Sequence, residues 1–123
     1  IWRNRMSKPT CYIAGPMRGY VNLNYDAFDH AELLGGSIGY RIISPANLDR
    51  AVGIDGSSES EAMACQKEFV LRDIAAILSC SHIAMLPGHT KSIGASAELA
   101  VARWLGLTIL TATTFLPLEP HHV

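Results

Sequence analysis

The chain has 123 residues, 49% of them hydrophobic, with ten Lys and Arg against eleven Asp and Glu and a formal net charge of -1. That length suits one domain with a real core, and the balanced charge excludes a global field that would gather nucleic acid or an anionic membrane. Any anionic ligand must be met by a few local groups. Cys11, Cys65 and Cys80 are odd in number and widely spaced. That pattern fits reduced, core-filling thiols of a cytosolic protein rather than a disulfide framework. No apolar run reaches the roughly 20 residues of a membrane span and no secretory pattern opens the sequence, so a cytoplasmic protein is expected. "IWRNR" and "FLPLEPHHV" read as arms. The domain is expected over 8–115, with 1–7 and 116–123 as tails.

In chain order, "TCYIA" from Thr10 to Ala14 is short, apolar and β-prone, and runs into the turn "GPMRG". Asn22 or Asn24 is placed to cap a helix whose Phe28, Ala31 and Leu34 share a face, and "GGSIG" is expected to stop it. "YRIISP" from Tyr40 to Pro45 reads as a second strand. Residues 46–60, "ANLDRAVGIDGSSES", lack periodicity and are expected to form a long loop lining or covering a site. From about Ser60 a single long helix is expected, with Met63, Phe69 or Val70, Ile74, Ile77 and Leu78 on one side, ending near Cys80. "HIAMLP" has the continuous apolar character of a strand covered on both faces. The loop "GHTKSIGAS" leads into the helix of "SIGASAELAVARWLG", and "LTILTA" from Leu107 makes a fourth strand.

Alternating strands and helices predict an α/β fold of three layers, flavodoxin-like or Rossmann-like, on a parallel sheet of about four to five strands. Ligands of such folds bind outside the carboxyl ends of the strands. The loops "GPMRG" and "GHTKSIGAS" should therefore face one crevice, shared by Arg18 and Glu98.

Glu98 is a lone acid among small and apolar neighbours. It is either a first-turn charge favoured by the helix dipole or a reactive group in a pocket. Gly94 and Ser96 before it would let a ligand approach a helix N-terminus suited to anions. Arg18 could grip a phosphate bidentately or simply be solvated. Asp73, in "RDIAAIL", is an exposed helix acid unless it turns inward, which its neighbour Ile74 does not decide. His82 and His89 have no metal-ligand spacing, so no metal site is expected, and "GHTKSIGAS" lacks a Walker A ending. Trp104 and Phe28 read as core.

Five segments taken together, in order and spacing, resemble the nucleoside 2-deoxyribosyltransferase superfamily, in its phage-type branch of small domains. They are "YIAGPMRG", "NYDAF", "ISPANL", "RDIAAILSCSHIAMLPG" and "SIGASAELAVARWLG". The resemblance covers most of 10–112. It implies a flavodoxin-like fold and cleavage of the N-glycosidic bond of 2-deoxynucleosides or their 5′-monophosphates, with no metal or organic cofactor. By position, Glu98 matches the family's nucleophile, which forms a covalent deoxyribosyl intermediate. Tyr12 resembles the tyrosine beside it. Asp73 matches an active-site aspartate that protonates the leaving base or orients the sugar. Two carboxyls about 5 Å apart would suit such a two-step displacement, and the acid would need a raised pKa.

The same resemblance gives Gly15, Pro16, Met17, Arg18 and Gly19, with Gly94 and Ser96, to substrate binding. Arg18, Gly19 and Ser96 stand where monophosphate-cleaving members hold the 5′ group, so a deoxynucleotide is favoured over a free nucleoside. The longer segment before Glu98, with its Lys91, leaves the base pocket unassigned. Water is the expected acceptor, with transfer to a second base as the alternative. A homo-oligomer is expected, since family sites are often completed by a neighbouring subunit. "LPGHTKSIGASAE" also faintly resembles the loop of lysine-decarboxylase-like phosphoribohydrolases, and a non-catalytic nucleotide sensor is the reading from another class.

Overall fold

The computed structural model describes residues 7–118. Four parallel strands form one sheet: β1 (Thr10–Ala14), β2 (Arg41–Ile43), β3 (His82–Met85) and β4 (Thr108–Thr111), in the order β2-β1-β3-β4. Five helices connect and cover them: α1 (Tyr25–Ile38), α2 (Pro45–Ala51), α3 (Glu59–Ala64), α4 (Gln66–Leu78) and α5 (Ile93–Leu105). The strand order is that of a flavodoxin-like three-layer fold, in which the chain reverses its direction of travel across the sheet between β1 and β3. Among the described residues no helix is long and apolar enough to cross a membrane.

Strand periodicity divides the core in two. Cys11 and Ile13 of β1, with Ala84 and Leu110, pack against Phe28 and Ala31 of α1. Tyr12 and Ala14 point the other way, joining Ile83 and Met85 of β3 to Ile77 of α4 and to Leu99 and Ala102 of α5. Cys11 to Ala14 are all fully buried, which explains why β1 reads as an unbroken apolar run rather than an alternation.

Several sequence expectations are corrected. Residues 46–60 are not one loop. Pro45 sits at the first helical position, where its missing N–H costs nothing, and opens α2 directly behind β2. Only 52–58 lies between α2 and α3. The expected single helix from Ser60 is two helices separated at Cys65, itself only half-buried. On α4 the inward face is Ile77 with partly buried Phe69 and Ile74, so Val70 and Leu78 are exposed, as is Met63 on α3.

Asn24 stands at the N-cap position of α1, but its side chain makes no capping hydrogen bond. Asn22, Leu23 and Asn24 all have positive φ, and the Asn24 amide donates instead to the Pro16 carbonyl at 2.9 Å. α1 also continues through Gly35, where a Cβ would stand 2.6 Å from Ile42 Cδ1 and from Phe115 Cζ, and ends at Gly39 with φ 126°. Trp104 is 90% exposed, not core. Ala95, Leu99 and Ala102 face the sheet, and Trp104 falls about 200° further round α5 than Ala102.

The carboxy-terminal boundary also moves. Pro117 bridges to Leu110 and the Leu118 amide donates to the Ile109 carbonyl at 3.0 Å, so 116–118 are docked on the sheet edge rather than free. Of the expected tails 1–7 and 116–123, residues 1–6 and 119–123 lie outside the described residues.

Candidate active site

A cavity of about 540 Å³ opens at the carboxyl ends of β1 and β3, where the strand order reverses. Asp49, Glu59, Asp73 and Glu98 line it, each from a different helix. On α5, Glu98 lies three residues after Ala95 and four before Ala102, both buried, so the helical period turns it toward the sheet. It occupies the sixth position of α5, past the first turn, where the dipole explanation for a carboxylate no longer holds. On α4, Asp73 stands four residues from both Phe69 and Ile77, which places it on the inward face too. Tyr12 reaches the same point from β1 because even-numbered residues of that strand face α4 and α5.

The three side chains meet. Tyr12 Oη donates to Glu98 Oε2 at 2.7 Å, while Asp73 and Glu98 both line the cavity. Burial pushes the Glu98 carboxyl up to about 8; the Tyr12 hydrogen bond lowers it, the Asp73 charge raises it and Arg72 lowers it. Asp73 is also raised, first by burial, against the opposing hydrogen bond and charge of Arg72. Burial, then the Glu98 charge, lifts the Tyr12 phenol well above its ordinary range, so it remains a neutral donor. At neutral pH the site therefore stores a proton on Glu98, in a chain of groups that includes Asp73 and Tyr12.

Arg72 organises the acids. Its Nε donates to Asp73 Oδ1 and its Nη2 to Asp49 Oδ1, each at 2.8 Å, and its guanidinium lies 4.4 Å from the Phe69 ring centroid. Asp49, on α2, is 3% exposed and takes a second hydrogen bond from Tyr25 Oη at 2.9 Å. Neither Asp49 nor Tyr25 stands out in the sequence. The signal that could have found Asp49 is the buried set Pro45, Ala46 and Asp49, a helical face carrying an acid. Recognising that face requires reading Pro45 as a helix start.

Of the turn after β1, Gly15, Pro16, Met17 and Arg18 line the cavity. Gly15 has no room for a side chain, since a Cβ there would sit 2.7 Å from Leu86 Cβ. Arg18 is exposed and hydrogen-bonds Gln66 Oε1 across the mouth. Gly19 and Ser96 do not line the cavity. The Gly19 amide donates to Glu59 Oε1 at 2.9 Å and Ser96 Oγ to the His89 carbonyl at 3.2 Å. Lys91, Ser92 and Gly94 take that position, and Ser92 caps α5 by accepting from the Ala95 amide at 3.1 Å. The opposite wall is apolar, with Leu23, Phe28, Phe69 and Ile74. Among the described residues, no group of three or more His, Cys, Asp or Glu is placed to hold a metal ion.

Fold and site together define an α/β domain with a carboxyl–tyrosine pair and a second acid at the switch point of a parallel sheet. Residues 9–111 match the family model described as a domain of unknown function (DUF4406), and the chain belongs to that family. No curated protein matches the chain.

Proposed function

We propose that the domain hydrolyses the N-glycosidic bond of a 2′-deoxynucleoside 5′-monophosphate, in the manner of the nucleoside 2-deoxyribosyltransferase superfamily that its sequence resembles. The observation that carries this reading is the convergence of three side chains from separate elements: Glu98 and Asp73 line one cavity, and the buried Tyr12 is bonded to Glu98 behind its wall. Glu98 is the nucleophile. Its carboxylate attacks the anomeric carbon, the bond from that carbon to the base nitrogen breaks, and its electron pair leaves with the base. The base departs with a proton from Asp73. Glu98 holds that proton in the free site near neutrality. The Tyr12 hydroxyl, bonded to Glu98 and acting on Asp73 by hydrogen bonding, is the path between the two carboxyls.

In the second half, Asp73 takes a proton from water, whose oxygen attacks the anomeric carbon of the glycosyl ester. The products are deoxyribose 5-phosphate and free base, and the proton left on Asp73 returns through Tyr12 to the released Glu98 carboxylate. The apolar wall of Leu23, Phe28, Phe69 and Ile74 suits a planar base. Arg18, Lys91 and the opening of α5 at Ser92 and Gly94 supply positive charge and N–H groups for the phosphate. The reading includes a homo-oligomer, for which the exposed Trp104 and Leu71 offer apolar surface; light scattering showing only a monomer-sized species would count against it.

The test is incubation with a panel of 2′-deoxynucleoside 5′-monophosphates, 5-hydroxymethyl pyrimidines included, beside the free nucleosides, with released base read by chromatography. Base from monophosphates, lost in Glu98→Ala, is the expected result. Release only when an acceptor base is added would turn the reading to a transferase. Thermal stabilisation by nucleotides with no release under either condition would replace the enzyme with a nucleotide sensor.

A further inference from the structure

The guanidinium of Arg72 is divided between two acids. An arginine beside one carboxylate ordinarily grips it with two parallel N–H donors. Here Nε reaches Asp73 Oδ1 while Nη2 is turned to Asp49 Oδ1, both at 2.8 Å, and the plane is held against Phe69. Asp49 is fixed in turn, by Tyr25 Oη at 2.9 Å and by burial. We propose that Asp49 is a positioning residue of the site: by drawing Nη2 away, it limits Asp73 to a single bond from Arg72 and keeps the guanidinium off the second Asp73 oxygen, which carries the proton that the departing base receives.

This inference rests on the assignment of Asp73 as the acid. The groups acting on Asp73 are Arg72 on its own helix, Tyr12 from β1, Glu98 from α5 and Asp49 from α2. Tyr25 from α1 acts on Asp49 rather than directly on Asp73, and Arg50, whose guanidinium stands 4.7 Å from the Tyr25 ring centroid, is paired with Asp29. Among these, Asp49 and Arg72 oppose one another. The negative charge of Asp49 favours the protonated form of Asp73, and Arg72 favours the ionised form. Removing Asp49 frees Nη2 for a bidentate grip and deletes the opposing charge, and both changes make Asp73 a stronger acid.

The experiment is a carboxyl-carbon NMR titration of the full chain, unmutated and as Asp49→Asn and Asp49→Leu, alongside the pH profile of base release. Asn removes the charge; Leu also removes the acceptor. In either variant the Asp73 midpoint should fall by about one pH unit, and the acidic limb of kcat/KM, where a second proton enters the carboxyl pair, should move down with it. An unchanged or raised Asp73 midpoint in a folded variant overturns the proposal. If neither variant folds, hydrogen-bond scalar couplings in the unmutated protein decide: couplings from Arg72 to both Asp73 and Asp49 support the divided fork, and couplings to Asp73 alone overturn it. An Asp73 midpoint that moves in a protein releasing no base would leave the fork standing and remove the proposed reaction.

Discussion

Tyr12 and Glu98, separated by 86 positions in the chain, are joined by a hydrogen bond of 2.7 Å at the mouth of the sheet's central pair of strands. The tyrosine is fully buried. Its hydroxyl is a fixed donor that partly offsets the burial of the Glu98 carboxyl. Tyr12→Phe should leave the fold intact and raise the Glu98 pKa further. Hydrogen bonds to charged groups are worth about 1.5–3 kcal/mol, so base release near neutral pH should fall about 10- to 100-fold. The alkaline limb of the pH profile, where Glu98 loses the proton it supplies, should move to higher pH; a superimposable profile would exclude the hydroxyl from the chemistry.

Glu98 also couples stability to pH. Its carboxyl, ordinarily near 4.5, ionises at about 8 in the fold. Between those values the native state holds a proton that the unfolded chain has released, so this group makes stability fall as pH rises through the window and leaves it level above about 8. Glu98→Gln should abolish base release yet be the more stable protein by an amount on the order of a few kcal/mol at pH 8. Melting temperatures of both forms from pH 4.5 to 8 check this. Parallel curves would show that the carboxyl is not held protonated.

Gly94 and Gly15 both line the cavity but answer to different constraints. A Cβ at Gly94 meets nothing within 4 Å. Gly94→Ala should be neutral or stabilising by up to about 1 kcal/mol, as for Ala over Gly in a helix. A methyl group there narrows the opening of α5, so cleavage of monophosphates should fall about tenfold while that of free nucleosides is spared. Equal losses on both substrates would move the phosphate elsewhere.

At Gly15 the collision is with the protein. A Cβ would sit 2.7 Å from Leu86 Cβ, so the strand end or the turn must shift. Gly15→Ala should cost about 1–3 kcal/mol of stability in a urea titration. Truncating the obstacle in Gly15→Ala/Leu86→Ala should restore less than the full loss, because Leu86 is itself buried in the core.

Much of this arrangement is legible in the amino-acid sequence. The apolar runs at β1 and β3, the Gly-rich turns behind them and the strand–helix alternation are local signals, and they are enough to bring Arg18 and Glu98 to one crevice. The inward direction of Asp73, which Ile74 leaves open in the sequence, is fixed by Phe69 and Ile77 four residues to either side. Asp49 escapes because Gly, Ser and Asp in 46–60 resemble a loop, although its start is a helix opened by Pro45. The separation of α3 from α4 at Cys65 has no proline or glycine to announce it. The side chains that bracket it hold partners far along the chain, Glu59 with the Gly19 amide and Gln66 with Arg18. The same holds at the carboxy-terminal edge, where Leu118 is fixed by Ile109.

The unbroken burial of β1 has a consequence for how this protein can vary. Cys11 and Ile13 serve one layer and Tyr12 and Ala14 the other, yet all four are apolar enough to tolerate either environment. A one-residue insertion or deletion ahead of Tyr12 would exchange the two sets, since side chains alternate strictly along a strand. The sheet could still form, but the phenol would face α1 and Glu98 would meet a thiol or a hydrocarbon instead. In this strand, parity and chemistry are inherited together.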